Sequence, residues 1–308
     1  MTASFEIEPL PPFDLELTTW TLRRRPDNAF DRWDGATYRR AFVADDGKPF
    51  EAAVTQLGEA DAPRLRVTLT GGALTSMTQA TALTALERLL GIQIDLQTFY
   101  GMSRKDELLK PLANQFRGMK PPRLLTPFEA LVNAIACQQL TLTVGIRLLN
   151  RLTETYGKAL ETKDGVVHAF PRPQDLANAD VEELRSMSFS YQKARYLTNI
   201  SRLIVNGELN LDEIAQLDDA KAVACLSELK GVGRWTAEYV LLRGLGRTHI
   251  FPADDVGARN NLQKWLSLPG KMTYDNTRDA LRSWDGFGGL IYFHLLLKSL
   301  KEKEVIGG

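Results

Sequence analysis

Leu65-Arg-Val-Thr-Leu69 alternates apolar and polar residues at period two, the pattern of a strand with one buried face. Asp46-Gly47 lies between Tyr38–Val43 and Phe50–Gln56, which predicts a hairpin. Thr81–Leu90 reads as a helix that stops near Gly91. Residues 1–100 therefore read as a mixed α/β domain. Phe99–Pro122 holds a glycine, several charges and a Pro-Pro pair, so a junction is assigned to 101–122.

From 123 to the end at 308 the spacing predicts nearly all helix. Thr126-Pro-Phe-Glu129 offers a capping hydroxyl, proline at the first helical position and glutamate at the third. Phe128, Leu131, Val132, Ile135 and Ala136 follow at helical spacing. Asp180 starts a short helix toward Met187, and Lys193–Val205 is an amphipathic helix stopped at Asn206-Gly207. Asp218 caps a helix toward Leu229, and further helices are expected at about Arg234–Gly246, Asp255–Leu266 and Phe287–Lys301. The fold class is α+β: a mixed N-terminal domain, then a mostly helical region.

Composition changes this picture little. Of 308 residues, 44% are hydrophobic and 25% charged, which fits a soluble globular chain of about two domains. No apolar run approaches the roughly 18 residues of a membrane span. The N-terminus carries no basic region followed by an apolar stretch, so no secretory signal is expected. Cys137 and Cys225 are the only cysteines, too few for a four-thiolate metal centre. The expected setting is cytoplasmic, close to the nucleoid if the source is bacterial. Thirty-eight basic residues balance 38 acidic ones, which counts against binding through a broad positive field but not through a few local contacts. His168, His249 and His294 lack metal-ligand spacing and read as structural.

Three motifs carry candidate chemistry. The first is Leu229-Lys-Gly-Val-Gly-Arg-Trp-Thr236, a Gly-X-Gly turn opening a helix. Successive amides there, with the positive end of the helix, can bind a phosphate by geometry alone. A plain helix–turn–helix corner has the same sequence features. In the second, Trp235, Tyr239 and Leu242 form one stripe of the following helix, lining a cleft or buried in a core. The third is the pair Asp254-Asp255 ahead of another helix. Such carboxylates are common helix caps, and an ionised one beside a sugar can also stabilise an oxocarbenium-like transition state. The division expected is Asp254 as cap and Asp255 facing the cleft.

Together these residues resemble the helix-hairpin-helix DNA glycosylase superfamily, in its 3-methyladenine DNA glycosylase II (alkylbase DNA glycosylase) branch. The resemblance covers Pro127–Asn261. It includes Pro127-Phe-Glu-Ala-Leu-Val-Asn-Ala-Ile-Ala-Cys-Gln-Gln139, Ser190-Tyr-Gln-Lys-Ala-Arg-Tyr196, the hairpin and Phe251-Pro-Ala-Asp-Asp255. It implies an active-site cleft between helical subdomains, with the helix-hairpin-helix at about 219–246. Asp255 takes the catalytic position, while Leu229, Gly231, Gly233, Arg234 and Thr236 belong to the phosphate-binding hairpin. Trp235 and Tyr239 match pocket aromatics. Phe287 falls where a relative carries a stacking tryptophan. Gln139 falls where the family fills the gap left by an everted base, though a buried or capping amide remains open for it. Strand-nicking relatives carry a lysine at the position of Trp235, so water is the expected nucleophile and an abasic site the expected product. The implied partner is duplex DNA containing alkylated purines, acted on by a monomer. No cofactor and no metal site is implied, although the resemblance allows a monovalent cation on hairpin carbonyls. A glycosylase for oxidised or deaminated bases, or a non-catalytic DNA-binding module, are the rival readings.

Overall fold

The computed structural model describes residues 1–72 and 74–306. An antiparallel sheet of five strands opens the chain: β1 (Thr2–Ile7), β2 (Arg32–Trp33), β3 (Thr37–Val43), β4 (Pro49–Gln56) and β5 (Leu65–Gly71), in the order β1-β5-β4-β3-β2. The Asp46-Gly47 hairpin forms as its sequence predicts: Ala44 N–H donates to Lys48 O at 2.9 Å, and Gly47 takes a left-handed φ of 79°. Pairing sets Phe42 opposite Phe50, and their rings stack at 5.5 Å. Leu65, Val67 and Leu69 all point into the core, as the period-two pattern requires.

Two helices accompany the sheet. α1 (Leu15–Arg23) is capped by Asp14, and α2 (Ser76–Leu90) by Thr75, ending at Gly91 in the left-handed region. Next come α3 (Gln97–Ser103) and α4 (Leu109–Gln115), inside the segment read as a junction. Their apolar faces supply Phe99, Leu112 and Phe116 to a buried cluster shared with Phe293 and Leu297 near the C-terminus. Asp106 Oδ2, between them, accepts from Trp284 Nε1 at 2.7 Å.

The helical region runs α5 (Pro127–Cys137), α6 (Leu142–Tyr156), β6 (Ala159–Thr162), β7 (Gly165–His168), α7 (Pro173–Leu176), α8 (Val181–Ser186), α9 (Tyr191–Val205), α10 (Leu211–Ala215) and α11 (Asp219–Ser227). α12 follows as Arg234–Tyr239 with a wider π turn at Val240–Gly244, then α13 (Val256–Leu266), α14 (Tyr274–Ala280) and α15 (Gly288–Glu302). Thr126, Asp180 and Asp218 accept the expected capping bonds. The β6–β7 hairpin departs from the all-helical reading. Its turn rests on Gly165 at φ 118° and on the Thr162 hydroxyl donating to Gly165 O, too short a signal for periodicity to detect. Among the described residues no helix is long and apolar enough to cross a membrane.

A buried ion-pair network ties the sheet to α5. Arg40 on β3 donates to Asp31 Oδ1 at 2.8 Å and to Glu129 Oε2 at 2.6 Å, and the Tyr38 hydroxyl donates to Asp31 at 2.7 Å. Glu129 lies in the first turn of α5, so the N-terminal domain holds the head of a helix whose other end reaches the site. The interior has two apolar clusters, one around the sheet, α5, α6, α9 and α12, the other around α3, α4, α13 and α15. The candidate residues lie where α12 meets α13 and α15.

Candidate active site

The hairpin joins α11 to α12. Val232 N–H donates to Leu229 O at 3.0 Å, closing the turn, and Gly231 sits at φ 89°. A side chain at Gly231 would run into the ring of Tyr196 on α9, so both backbone and space demand glycine there. Gly233 needs no unusual angle: its φ is −96° and a Cβ there meets only open space. What Gly233 contributes is a bare approach to the amides of Arg234, Trp235 and Thr236. These precede the first intrahelical bond, from Ala237 N–H to Gly233 O at 3.0 Å.

Gln138 holds this turn in place. Its Nε2 donates to Gly231 O at 2.8 Å and to the Thr236 hydroxyl at 2.9 Å, so the Thr236 side chain faces inward. Lys193 closes the end of α5, its ammonium donating to Ala136 O at 2.9 Å and Gln138 O at 2.7 Å. The adjacent Gln139 is exposed, with a left-handed φ of 56°, at the tip of this braced turn.

Trp235 and Tyr239 meet with ring centroids 5.7 Å apart. Trp235 is half-buried, and its indole Nε1 is buried without a hydrogen-bond partner among the described residues. Tyr239 is only 2% exposed and its hydroxyl donates to Asn133 Oδ1 at 2.9 Å, so it forms the wall behind Trp235 instead of an open face. Leu242 is buried as well, because the π turn at Val240–Gly244 breaks the 100° periodicity on which the stripe depends. Gly244 lets that turn close onto α5, where a side chain would crowd Ala130 and Pro127. Phe287, half-buried just ahead of α15, packs on Phe99 at 5.7 Å.

The capping role expected of Asp254 falls to Asp255. Asp255, not Asp254, caps α13: its Oδ1 accepts from Ala258 N–H at 2.9 Å. Its second oxygen, Oδ2, faces the Tyr292 hydroxyl of α15 at 3.5 Å. Burial, and then the charge of Asp255, push the Tyr292 phenol up, so it stays protonated and can donate. Asp254 Oδ2 instead accepts from Arg234 Nε at 2.8 Å. The Arg234 guanidinium lies 3.6 Å from the centre of the Tyr274 ring, and the Tyr274 hydroxyl donates to Glu238 Oε1 at 2.6 Å. Burial pushes the Glu238 carboxyl up. This chain of contacts ties the start of α12 to the loop carrying Asp255, and it pairs the exposed Arg234 with Asp254.

Asn133, Gln138, Glu238, Tyr274 and Tyr292 were not singled out by sequence. Asn133 and Glu238 had a signal, a polar residue on an otherwise apolar helical face. The other three are recognisable only once their distant partners are known. Of two surface clefts, one of about 470 Å³ meets this site only at Leu229 and is otherwise lined by residues such as Leu203 and Asn210, and one of about 490 Å³, lined by residues such as Gln97 and Arg117, shares no residue with it.

Residues 132–285 match the HhH-GPD superfamily of base excision DNA repair proteins. The DNA-3-methyladenine glycosylase of Bacillus subtilis is 29% identical over 201 residues, 65% of this chain and 66% of that protein, so the chain spans just under two thirds of that relative's length. Among solved structures, the 3-methyladenine DNA-glycosylase from Archaeoglobus fulgidus superposes with a TM-score of 0.82 at 26% identity, over 98% of this chain and 100% of that one. An 8-oxoguanine glycosylase/lyase from Clostridium acetobutylicum shares the fold at a TM-score of 0.73 and 21% identity, over 95% of both chains.

Proposed function

Because the chain belongs to the HhH-GPD superfamily of base excision DNA repair proteins, we propose that it is a monofunctional DNA glycosylase acting, as a monomer, on duplex DNA. In this reading it everts alkylated purines of the 3-methyladenine and 7-methylguanine type and hydrolyses their N-glycosidic bond, leaving an abasic site. The observation that carries the proposal is the divided use of Asp255. One oxygen is taken by the α13 amide, which fixes the carboxylate, and the other faces the Tyr292 hydroxyl, with Asp255 near enough to Tyr239 of α12 to act on its phenol. A fixed anion of this kind favours the positive charge that grows on a sugar as its base departs.

The remaining residues fit around that step. The hairpin amides after Gly233 hold a backbone phosphate, with Gly231 shaping the turn and Gln138 bracing it. Gln139 fills the gap in the stack, and its exposed position on a held turn suits that use. Trp235 offers a ring face to the everted base, backed by Tyr239, a contact worth roughly 0.5–2 kcal/mol for a cationic base. Phe287 completes the aromatic lining in this reading. Trp235 carries no amine, so water is the nucleophile and no Schiff base forms. The carbonyls of Leu229 and Gly231 already accept from Val232 N–H and Gln138 Nε2. Each carbonyl keeps a second lone pair that could serve a monovalent cation, and no step passes through one.

The test is release of methylated purines from methylated duplex DNA, followed by mild alkali to cut at abasic sites, with borohydride present in a parallel reaction. Base release with alkali-dependent breaks and no trapped adduct is the expected result. DNA binding without release would leave a non-catalytic binding module. A borohydride-trapped adduct, or release confined to oxidised bases, would overturn the monofunctional alkylpurine assignment.

A further inference from the structure

α3 carries two aromatic residues side by side, and they serve different places. Phe99 packs on Phe287 at 5.7 Å and on His294 at 5.0 Å. Tyr100, about 100° further round the helix, lines the cleft of about 490 Å³. That lining holds two guanidiniums, Arg104 and Arg117, and no carboxylate. Arg104 directly follows α3 and is exposed, and its side chain makes no hydrogen bond or ion pair among the described residues. The same holds for the side-chain amides of Gln97 on α3 and Asn114 on α4, which also line the cleft. Arg117 Nη1 donates to Asp61 Oδ1 at 2.6 Å, but the Asp61 side chain is 72% exposed and stands outside the lining, so water screens that pair. Along this stretch Arg104, Lys105, Lys110 and Arg117 outnumber Asp106 and Glu107, and Asp106 already accepts from Trp284 Nε1 and Leu109 N–H.

The residues beside these donors are fixed. Tyr100 is only 8% exposed. Its hydroxyl accepts from Gly118 N–H at 2.9 Å, and its own proton has no acceptor among the described residues. Burial pushes the phenol up, so that proton stays on and remains free to be donated. Gly118 reaches the hydroxyl because it sits at φ 95° against the backbone of Phe13 and Asp14, where a side chain would collide. The same contact, with Asp14 N–H donating to Gly118 O at 2.8 Å, seats Pro12 in the lining. Ser103, buried as well, donates to Tyr100 O at 3.1 Å. The Arg117 guanidinium lies 5.9 Å from the centre of the Tyr100 ring.

We infer that this cleft binds a small phosphate monoester, with Arg104 and Arg117 as charged donors to the phosphoryl group, Gln97 and Asn114 as neutral ones, and Pro12 and the Tyr100 ring against the organic part. Guanidinium forks match the paired oxygens of a phosphoryl group. A single carboxylate brings two oxygens and one charge, fewer acceptors than these donors serve. The cleft volume falls in the range of small-molecule sites, roughly 300–1,000 Å³. A duplex backbone is convex, and the cleft shares no residue with the hairpin that holds one in the proposed reaction. The site is independent of the glycosylase reading and stands whether or not that reading does.

Isothermal titration calorimetry of the full chain tests this with inorganic phosphate and phenyl phosphate, at matched ionic strength with chloride as the background anion. Saturable binding of a single equivalent in the millimolar range is the expected result, with phenyl phosphate the tighter. Arg104→Gln and Asn114→Ala alter exposed side chains that have no partner among the described residues, so both should melt with the wild type. Arg104→Gln should weaken phenyl phosphate roughly tenfold or more, the loss of a charge-assisted hydrogen bond, and Asn114→Ala by roughly threefold to tenfold. Duplex DNA affinity should be the same in Arg104→Gln as in the wild type. Absence of saturable binding by both probes overturns the inference. So does binding that survives Arg104→Gln and is lost in Gly233→Ala, which would place the phosphate on the hairpin. Phenyl phosphate no tighter than inorganic phosphate removes the ester, and a loss of DNA affinity in Arg104→Gln assigns the cleft to the duplex backbone. Either of these overturns the small-molecule assignment.

Discussion

Asp255 caps α13 with one oxygen and, in the proposed reaction, stabilises the sugar with its charge, and substitution can separate the two. Asparagine ranks with aspartate as an N-cap, so Asp255→Asn keeps an oxygen for the Ala258 amide and loses only the charge at the head of α13. That charge is worth about 0.3–1 kcal/mol. Asp255→Ala loses the cap as well, a further cost of about 1 kcal/mol. Either change shifts thermal unfolding by only a few degrees. The effect on chemistry is far larger. A carboxylate about 4 Å from a growing unit charge, at an effective dielectric of about 20, contributes roughly 4 kcal/mol. That is about a thousandfold in rate. Single-turnover release of 7-methylguanine, measured beside DNA affinity and thermal unfolding, distinguishes the terms. Both variants should bind DNA like the wild type and lose about three orders of magnitude in release, with Asp255→Ala the less stable. An Asp255→Asn rate within tenfold of the wild type would show that the carboxylate only caps a helix.

Two further outcomes follow from the same structure. Gly231→Ala should destabilise the protein by about 1–3 kcal/mol, since it meets both an unfavourable φ and the Tyr196 ring. Gly233→Ala should melt with the wild type yet bind DNA more weakly; equal melting of the two variants, read by calorimetry, would refute the assigned difference. His294 is fully buried against Phe99, and burial pushes its pKa down to about 4. The unfolded chain takes up this proton near pH 6.5 and the folded chain does not, so stability falls as pH drops from 6.5 toward 4, by about 3 kcal/mol from this group. His294→Phe should flatten that part of the stability–pH curve, and an unchanged slope would count against the assignment.

The legible parts of the chain were the local ones. Thr126, Asp180 and Asp218 cap helices because a cap bonds an amide two or three positions ahead, well within a sequence window. Leu65–Leu69 and the Asp46-Gly47 hairpin depend on neighbours in the same way. The hairpin and Asp255 stood out because several unusual residues fall close together. What escaped was set by long-range partners. Gln138 reaches Gly231 across 93 positions, Arg24 reaches Asn133 across 109, and Tyr292 reaches Asp255 across 37. The transfer of the cap from Asp254 to Asp255 is instructive: capping preference alone does not distinguish them. Arg234 decides it, by drawing Asp254 toward Tyr274 and leaving Asp255 at the cap.

The N-terminal domain bears on the site through one helix. Glu129 opens α5, is fully buried, and has its carboxyl pushed up by that burial while Arg40 opposes the shift. Without Arg40 the carboxylate would stand buried and unpaired, a cost of about 3–5 kcal/mol. Along the same helix Asn133 takes Arg24 and Tyr239, and just beyond its end Gln138 takes the hairpin. α5 thus meets the sheet at its head, Tyr239 in its middle and the hairpin turn just beyond its tail. Fixing the head by a buried ion pair fixes the register of all three, because a helix one residue out of place would turn Asn133 about 100° away from Tyr239. The sheet therefore sets the geometry of the site through the placement of α5, while the end of α1 contributes Arg24.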